Sequence, residues 1–135
     1  MRVDAKAEGL VVAVGRWSPH YDGDGRIDTS KSPWFYVRLT ERDAPWAFVK
    51  GLPARAISTL ELLATLVGLF LLAPPSLDAR GAAGTVAVTG LTDSQVSSAV
   101  VASGLTTTFP LCAVAMELSA QLERRGAELF LDWIP

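Results

Sequence analysis

The sequence carries one cysteine, Cys112, and one histidine, His20. A lone thiol closes no internal disulfide, which excludes a disulfide-stapled scaffold and fits a reducing compartment. No basic partner stands near Cys112 to activate it as a nucleophile, and among Leu111, Ala113 and Val114 it reads as a small packing residue. Positive charge is not in excess either: 12 basic against 14 acidic side chains leave a net charge of −2. No global field then attracts phosphate backbones or anionic membranes, so any nucleic-acid function has to come from a local site. No apolar run reaches the roughly 18 to 20 residues that span a bilayer. The most apolar stretch, residues 62–75, reads as a buried helix, and the opening Met1-Arg2-Val3-Asp4-Ala5-Lys6 lacks the features of a secretory signal. The expectation is an intracellular protein, cytoplasmic or nuclear, with no membrane partner. Internal repeats and low-complexity segments are also missing.

What is present is 135 residues, 50% of them apolar and 19% charged. That is one domain with enough chain for a single core. Residues 2–6 and 10–14 predict two strands joined through Gly9, and the Gly-, Asp-, Ser- and Pro-rich residues 18–33 predict a long hairpin tip before a third strand over 34–39. Residues 41–56 predict a connector from which Trp46 and Phe48 fold back onto the core. Ser58-Thr59-Leu60-Glu61 matches a capping box and predicts the start of a helix that ends before Pro74-Pro75. The β-branched residues 85–91 predict a central strand covered on both faces. Residues 95–103 predict a helix stopped by Gly104. Leu111, Val114, Ala115, Leu118 and Leu122 recur at helical spacing and predict another helix, stopped by Gly126. Residues 129–133 predict a last strand. The expected fold class is α/β, a mixed five-stranded sheet of three antiparallel strands followed by helix, strand, helices and strand. The closing Leu129 to Pro135 has no polar tail and reads as a chain cut on leaving a strand.

Three carboxylates lie where strands or helices meet loops: Asp4 on the first strand, Glu61 at the start of the first long helix and Asp93 at the end of the fourth strand. If the first and fourth strands are neighbours, about 4.8 Å apart, Asp4 and Asp93 can share a side and a helix packed there can aim Glu61 between them. Three clustered carboxylates repel unless cations neutralise them. Such a cluster implies Mg²⁺ or Mn²⁺, hard ions that prefer oxygen ligands. Two ions about 3.5 to 4 Å apart would suit phosphodiester hydrolysis.

The order and spacing of Val3-Asp4-Ala5-Lys6-Ala7, Leu60-Glu61-Leu62-Leu63-Ala64 and Gly90-Leu91-Thr92-Asp93-Ser94-Gln95 resemble ribonuclease H domains, particularly those attached to retroelement reverse transcriptases. Ile27 to Phe35, Ala44 to Phe48 and Leu105 to Leu118 resemble a eukaryotic branch of that group. The resemblance covers nearly the whole chain, and Thr92-Asp93-Ser94 is its most specific short motif. It implies a ribonuclease H-like fold and metal-dependent cleavage of the RNA strand of an RNA:DNA hybrid, with a reverse transcriptase domain in the same polyprotein. Asp4, Glu61 and Asp93 would be the catalytic, metal-binding carboxylates, with two Mg²⁺ or Mn²⁺ ions in a complete site. Lys6, Ser94 and Gln95 would lie near the substrate backbone. The family usually carries a fourth carboxylate on a helix after the final strand, often with a mobile histidine before it. The chain ends at Pro135, so the domain reads as lacking that C-terminal helix. The alternative function is a catalytically inactive connection or protein-interaction module of a larger polyprotein; a third is a metal-dependent nuclease acting on another polynucleotide.

Each of these residues also has a plainer reading. Glu61 can cap its helix, Asp93 can be an N-cap and Lys6 can pair with Glu8. Asp22-Gly23-Asp24-Gly25-Arg26-Ile27-Asp28 matches only the centre of a calcium loop: its first and twelfth positions fall on His20 and Lys31, so it reads as a hairpin tip. Trp34, Trp46 and Trp133 read as packing residues, with base stacking the alternative. Arg124 and Arg125, with Arg16, Lys50 and Arg55, suit either a local hybrid-binding surface or, for the adjacent pair, the dipole at a helix C-terminus.

Overall fold

Alternating valines build the first hairpin. In the computed structural model, which describes residues 1–6, 9–15, 23–26, 30, 33–48, 56–72 and 86–135, β1 (Arg2–Lys6) runs antiparallel to β2 (Val11–Gly15). Val3 lies opposite Val14 and Ala5 opposite Val12. All four turn toward the core, while Arg2, Asp4 and Lys6 alternate to the other side, as the two-residue period of a strand requires. Gly9 at φ 77° and Leu10 at φ 49° reverse the chain between the strands. Glycine meets that backbone without strain, whereas Leu10 holds it because its side chain is buried in the core. β3 (Trp34–Arg38) adds antiparallel to β2, and its Val37 joins the core opposite Val12. A 3-10 turn at Pro45–Phe48 buries Ala47, and Trp46 and Phe48 fold back as expected.

The long helix α1 (Ile57–Leu72) is apolar nearly all round because neighbours surround it. It lies across β1 and β2 and touches both later helices. Leu60 and Ala64 pack onto Val3, Val12 and Val14, while Leu62, Leu66 and Leu69 pack with Leu111, Leu118 and Leu129. Gly68 permits the close approach to the sheet: a Cβ there would stand 2.6 Å from the Met1 sulfur and 3.0 Å from Val14 Cγ1. The capping-box expectation fails, since Ser58 is the second residue of the helix rather than its cap. β4 (Val86–Thr92) lies parallel to β1, α2 (Gln95–Ser103) and α3 (Leu111–Arg125) follow, and β5 (Ala127–Trp133) completes the sheet parallel to β4. Gly104 at φ 66° and Gly126 at φ 56° end the two helices in the left-handed conformation the sequence signalled. β5 starts two residues before the predicted position.

The strand order is β3-β2-β1-β4-β5, so the domain is α/β with the expected mixed five-stranded sheet. All three helices pack together on one face of it, through Val3, Val12, Val14, Val88, Leu129 and Leu131. The opposite face, among the described residues, has no helix. This corrects the expectation of a doubly covered fourth strand: Ala87 and Thr89 of β4 are exposed, and the β-branched run that suggested burial on both sides is buried on one. It also corrects two tryptophans read as packing residues, because Trp34 is 71% exposed and Trp133 43% exposed. Among the described residues no helix is long and apolar enough to cross a membrane.

Leu60 is fully buried beside Glu61. Leu60→Ala is expected to cost about 2 to 5 kcal/mol, whereas Trp34→Ala on the open face is expected to cost less than about 1 kcal/mol; urea unfolding followed by circular dichroism measures both.

Candidate functional site

The site forms where two parallel strands separate. β1 and β4 pair at Arg2 and Leu91, supported by Leu91 N–H donating to the Met1 carbonyl at 2.8 Å. Further along, the Ala5 N–H has no strand partner on the β4 side and donates instead to Glu61 Oε1 at 3.0 Å. Glu61 therefore sits at the mouth of the gap, carried by the first turns of α1 and anchored by the buried Leu60 and Leu62 on either side. Its carboxylate serves the sheet rather than capping its own helix.

Asp93 follows the last residue of β4, and Asp4 lies mid-strand on β1. Each of Asp4, Glu61 and Asp93 offers a carboxylate oxygen, and the three oxygens lie within 4.8 Å of one another. The three expected residues are thus brought together from elements far apart in sequence. Glu61 is buried and the two aspartates are exposed, so the cluster has a dry floor and a wet rim. Glu61 Oε2 is buried without a hydrogen-bond partner.

The electrostatics follow from that placement. Burial, reinforced by the neighbouring charges of Asp93 and Asp4, pushes the Glu61 carboxyl up to about 7 from its ordinary 4.5, against the Ala5 N–H bond that favours ionisation. A buried carboxylate with one unpaired oxygen beside two others is a set of hard donors short of positive charge. Such a donor set is of the type that suits a divalent cation such as Mg²⁺ or Mn²⁺.

Ser94, not Asp93, is the N-cap of α2: its hydroxyl oxygen accepts from Ser97 N–H at 3.2 Å. Ser94 N–H in turn donates to the buried Thr92 Oγ1 at 3.1 Å. The plainer reading of Asp93 as an N-cap therefore fails, because its neighbour takes that place, which leaves the Asp93 carboxylate to the cluster. Gln95 is exposed in the first turn of α2, beside Asp93. Lys6 is exposed at the end of β1, two residues beyond Asp4. Arg125 packs its guanidinium over the Phe70 ring, 5.1 Å from the centroid. His20, Asp22, Asp28, Arg16, Lys50 and Arg55 lie outside the described residues, as does Glu8.

Sequence reasoning missed Trp133. Its indole N–H donates to the Asp93 carbonyl at 3.0 Å, fixing the backbone that presents the carboxylate. The β4 to β5 register, which sets Trp133 opposite Thr92, brings it there. No signal in the sequence carries that register. No family model, curated protein or solved structure matches this chain.

The Glu61 shift has a consequence for stability. Below about pH 4.5 the carboxyl is protonated in folded and unfolded chains alike. Between about 4.5 and 7 the unfolded chain ionises while the folded one keeps its proton, so stability falls with rising pH across that window and levels off above it. Measured without divalent metal, Glu61→Gln is expected to be more stable than the parent by about 1 to 2 kcal/mol at pH 8, after screening at the open rim, and equal to it at pH 4. Urea midpoints at the two pH values test this, and an equal gap at both would remove the electrostatic account.

Proposed function

We propose that this domain is a ribonuclease H-like nuclease that hydrolyses the RNA strand of RNA:DNA hybrids with divalent metal, as part of a retroelement reverse transcriptase polyprotein. The observation that carries the reading is the convergence of Asp4, Glu61 and Asp93 within 4.8 Å, with Glu61 Oε2 buried and unpartnered at its base. The sheet order β3-β2-β1-β4-β5, with three antiparallel strands followed by two parallel ones, is compatible with that fold family. The spaced motifs around the three carboxylates support it independently.

The three carboxylates would hold the metal, which when bound supplies Lewis acidity to a water and to a phosphoryl oxygen. The chain's own groups do the rest. Ala5 N–H orients Glu61 through Oε1. Trp133 holds the Asp93 carbonyl, and the Thr92 and Ser94 hydroxyls brace the turn that follows it. Gln95, and Ser94 at the N-terminus of α2, stand where a phosphate on the Asp93 side meets the positive end of the helix dipole. Lys6 brings a cation to the β1 side. The apolar packing beneath Glu61 keeps water from the inner side of the cluster, so an incoming phosphodiester arrives at the Asp4 and Asp93 rim.

Cleavage of a labelled RNA:DNA hybrid tests the proposal. Hydrolysis in Mg²⁺ or Mn²⁺ is expected to stop with EDTA and to fall about 100-fold or more in Asp4→Asn, Glu61→Gln or Asp93→Asn. Full cleavage by Asp93→Asn would refute the assignment. A folded domain that binds the metal through these carboxylates yet cuts no hybrid would place it instead as an inactive module of the polyprotein. Duplex DNA and double-stranded RNA as competitors decide the substrate. Trp133→Phe, which keeps every carboxylate, is expected to weaken Mn²⁺ binding about 10-fold, read by electron paramagnetic resonance of free Mn²⁺.

A further inference from the structure

The open face of the sheet is not uniform. The register sets its residues in three rows across β1, β2 and β3: Arg2, Gly15 and Trp34; Asp4, Ala13 and Tyr36; Lys6, Val11 and Arg38. Trp34 and Tyr36, 71% and 58% exposed, stack on each other with ring centroids 5.5 Å apart and planes within 12°. Two large aromatic rings held parallel in solvent are an uncommon use of apolar surface. Beside them the small side chains of β2 leave a hollow of about 200 Å³, with Gly15 and Ala13 in its floor, Trp34 at one wall and Arg2 and Asp4 at the other. Tyr36 and Asp4 are two strands apart, about 10 Å at the usual spacing.

Charge divides the face as well. The β1 to β3 half carries Arg2, Lys6 and Arg38 against Asp4, although the whole chain is net negative. The β4 and β5 half carries Glu128 and Asp132 with no cation. Lys6 already has an interaction within the chain, so the weight falls on Arg2 and Arg38. A polymer with flat apolar rings and a negative backbone complements the first half and is repelled by the second.

We propose that this trough binds an unpaired nucleic-acid strand and leads it to the carboxylate cluster, with Trp34 and Tyr36 stacking on its bases and Arg2 and Arg38 meeting its phosphates. The inference rests on the nuclease reading for its direction, since Asp4 belongs both to the wall of the hollow and to the carboxylate cluster. Paired bases keep their faces inside the duplex, so the stacking surface selects single strand beyond the hybrid rather than the hybrid itself.

The test uses the full chain and a fluorescein-labelled dT15 oligonucleotide, followed by anisotropy in EDTA so that nothing is cut. The parent is expected to bind, and Trp34→Ala/Tyr36→Ala to bind about 10- to 100-fold more weakly. Arg38→Ala alone is expected to lower the slope of log affinity against log salt by about one. No binding by the parent, or unchanged binding by both the aromatic pair variant and Arg38→Ala, would overturn the trough. Sedimentation that finds a dimer broken by the aromatic pair variant would overturn it too, by assigning the face to a second copy of the chain. The two proposals separate cleanly. Hybrid cleavage that needs Asp93, without loss of dT15 binding in the aromatic pair variant, leaves the nuclease and removes the trough; dT15 binding that needs Trp34 and Tyr36, with no cleavage in metal, does the reverse.

Discussion

A carboxyl group forced out of water beside two others organises this domain. Glu61 is held on the helix side of the sheet, its backbone anchored by its fully buried neighbours Leu60 and Leu62. The single N–H of Ala5 satisfies one of its oxygens. The other stays unpaired, and the proximity of Asp4 and Asp93 adds repulsion to the cost of burial. An arrangement that opposes folding in this way persists when something else over-determines it. Here that is the apolar packing of α1 against β1 and β2, which fixes the helix and thereby the acid.

The strands supply the matching constraint. A parallel pair that continued past Arg2 and Leu91 would bring β4 alongside Ala5, where its N–H would be taken by a ladder bond. Separation of the strands frees that donor, admits Glu61 and ends β4 at Thr92, so Asp93 falls where the chain turns into α2. The site is a product of where the sheet stops pairing. The layered arrangement then divides the labour: helices on one face provide rigidity, while the other face keeps charged and aromatic side chains in contact with solvent.

Much of this could be read from the chain. The apolar–polar alternation of β1, the valines of β2 and the glycines that end α2 and α3 are local signals, and each survives because local geometry decides it. Failures cluster where tertiary placement decides. A β-branched run such as β4 looks the same whether one face or both are covered. The S-x-x-E pattern at Ser58 describes a cap, yet the helix begins one residue before it, and the Ala5 amide claims the glutamate. Tryptophans on strands and core-facing loops read as interior because aromatic side chains there usually pack inside. Trp34 stands outside because its strand is at the sheet edge and its side alternates away from the helices. Trp133 reaches Asp93 through a strand register that no short motif encodes.

The one-sided sheet leaves β5 as a border strand, its outward backbone amides and carbonyls unmatched by any neighbouring strand among the described residues. Such a border invites another chain to zip onto it, and the half-exposed Phe130 and Trp133 add apolar encouragement. Glu128 and Asp132 bracket Phe130 on the same side, so two like copies laid edge to edge would set carboxylate against carboxylate. The acidic residues of this half of the face thus stand as gatekeepers against self-assembly into larger sheets.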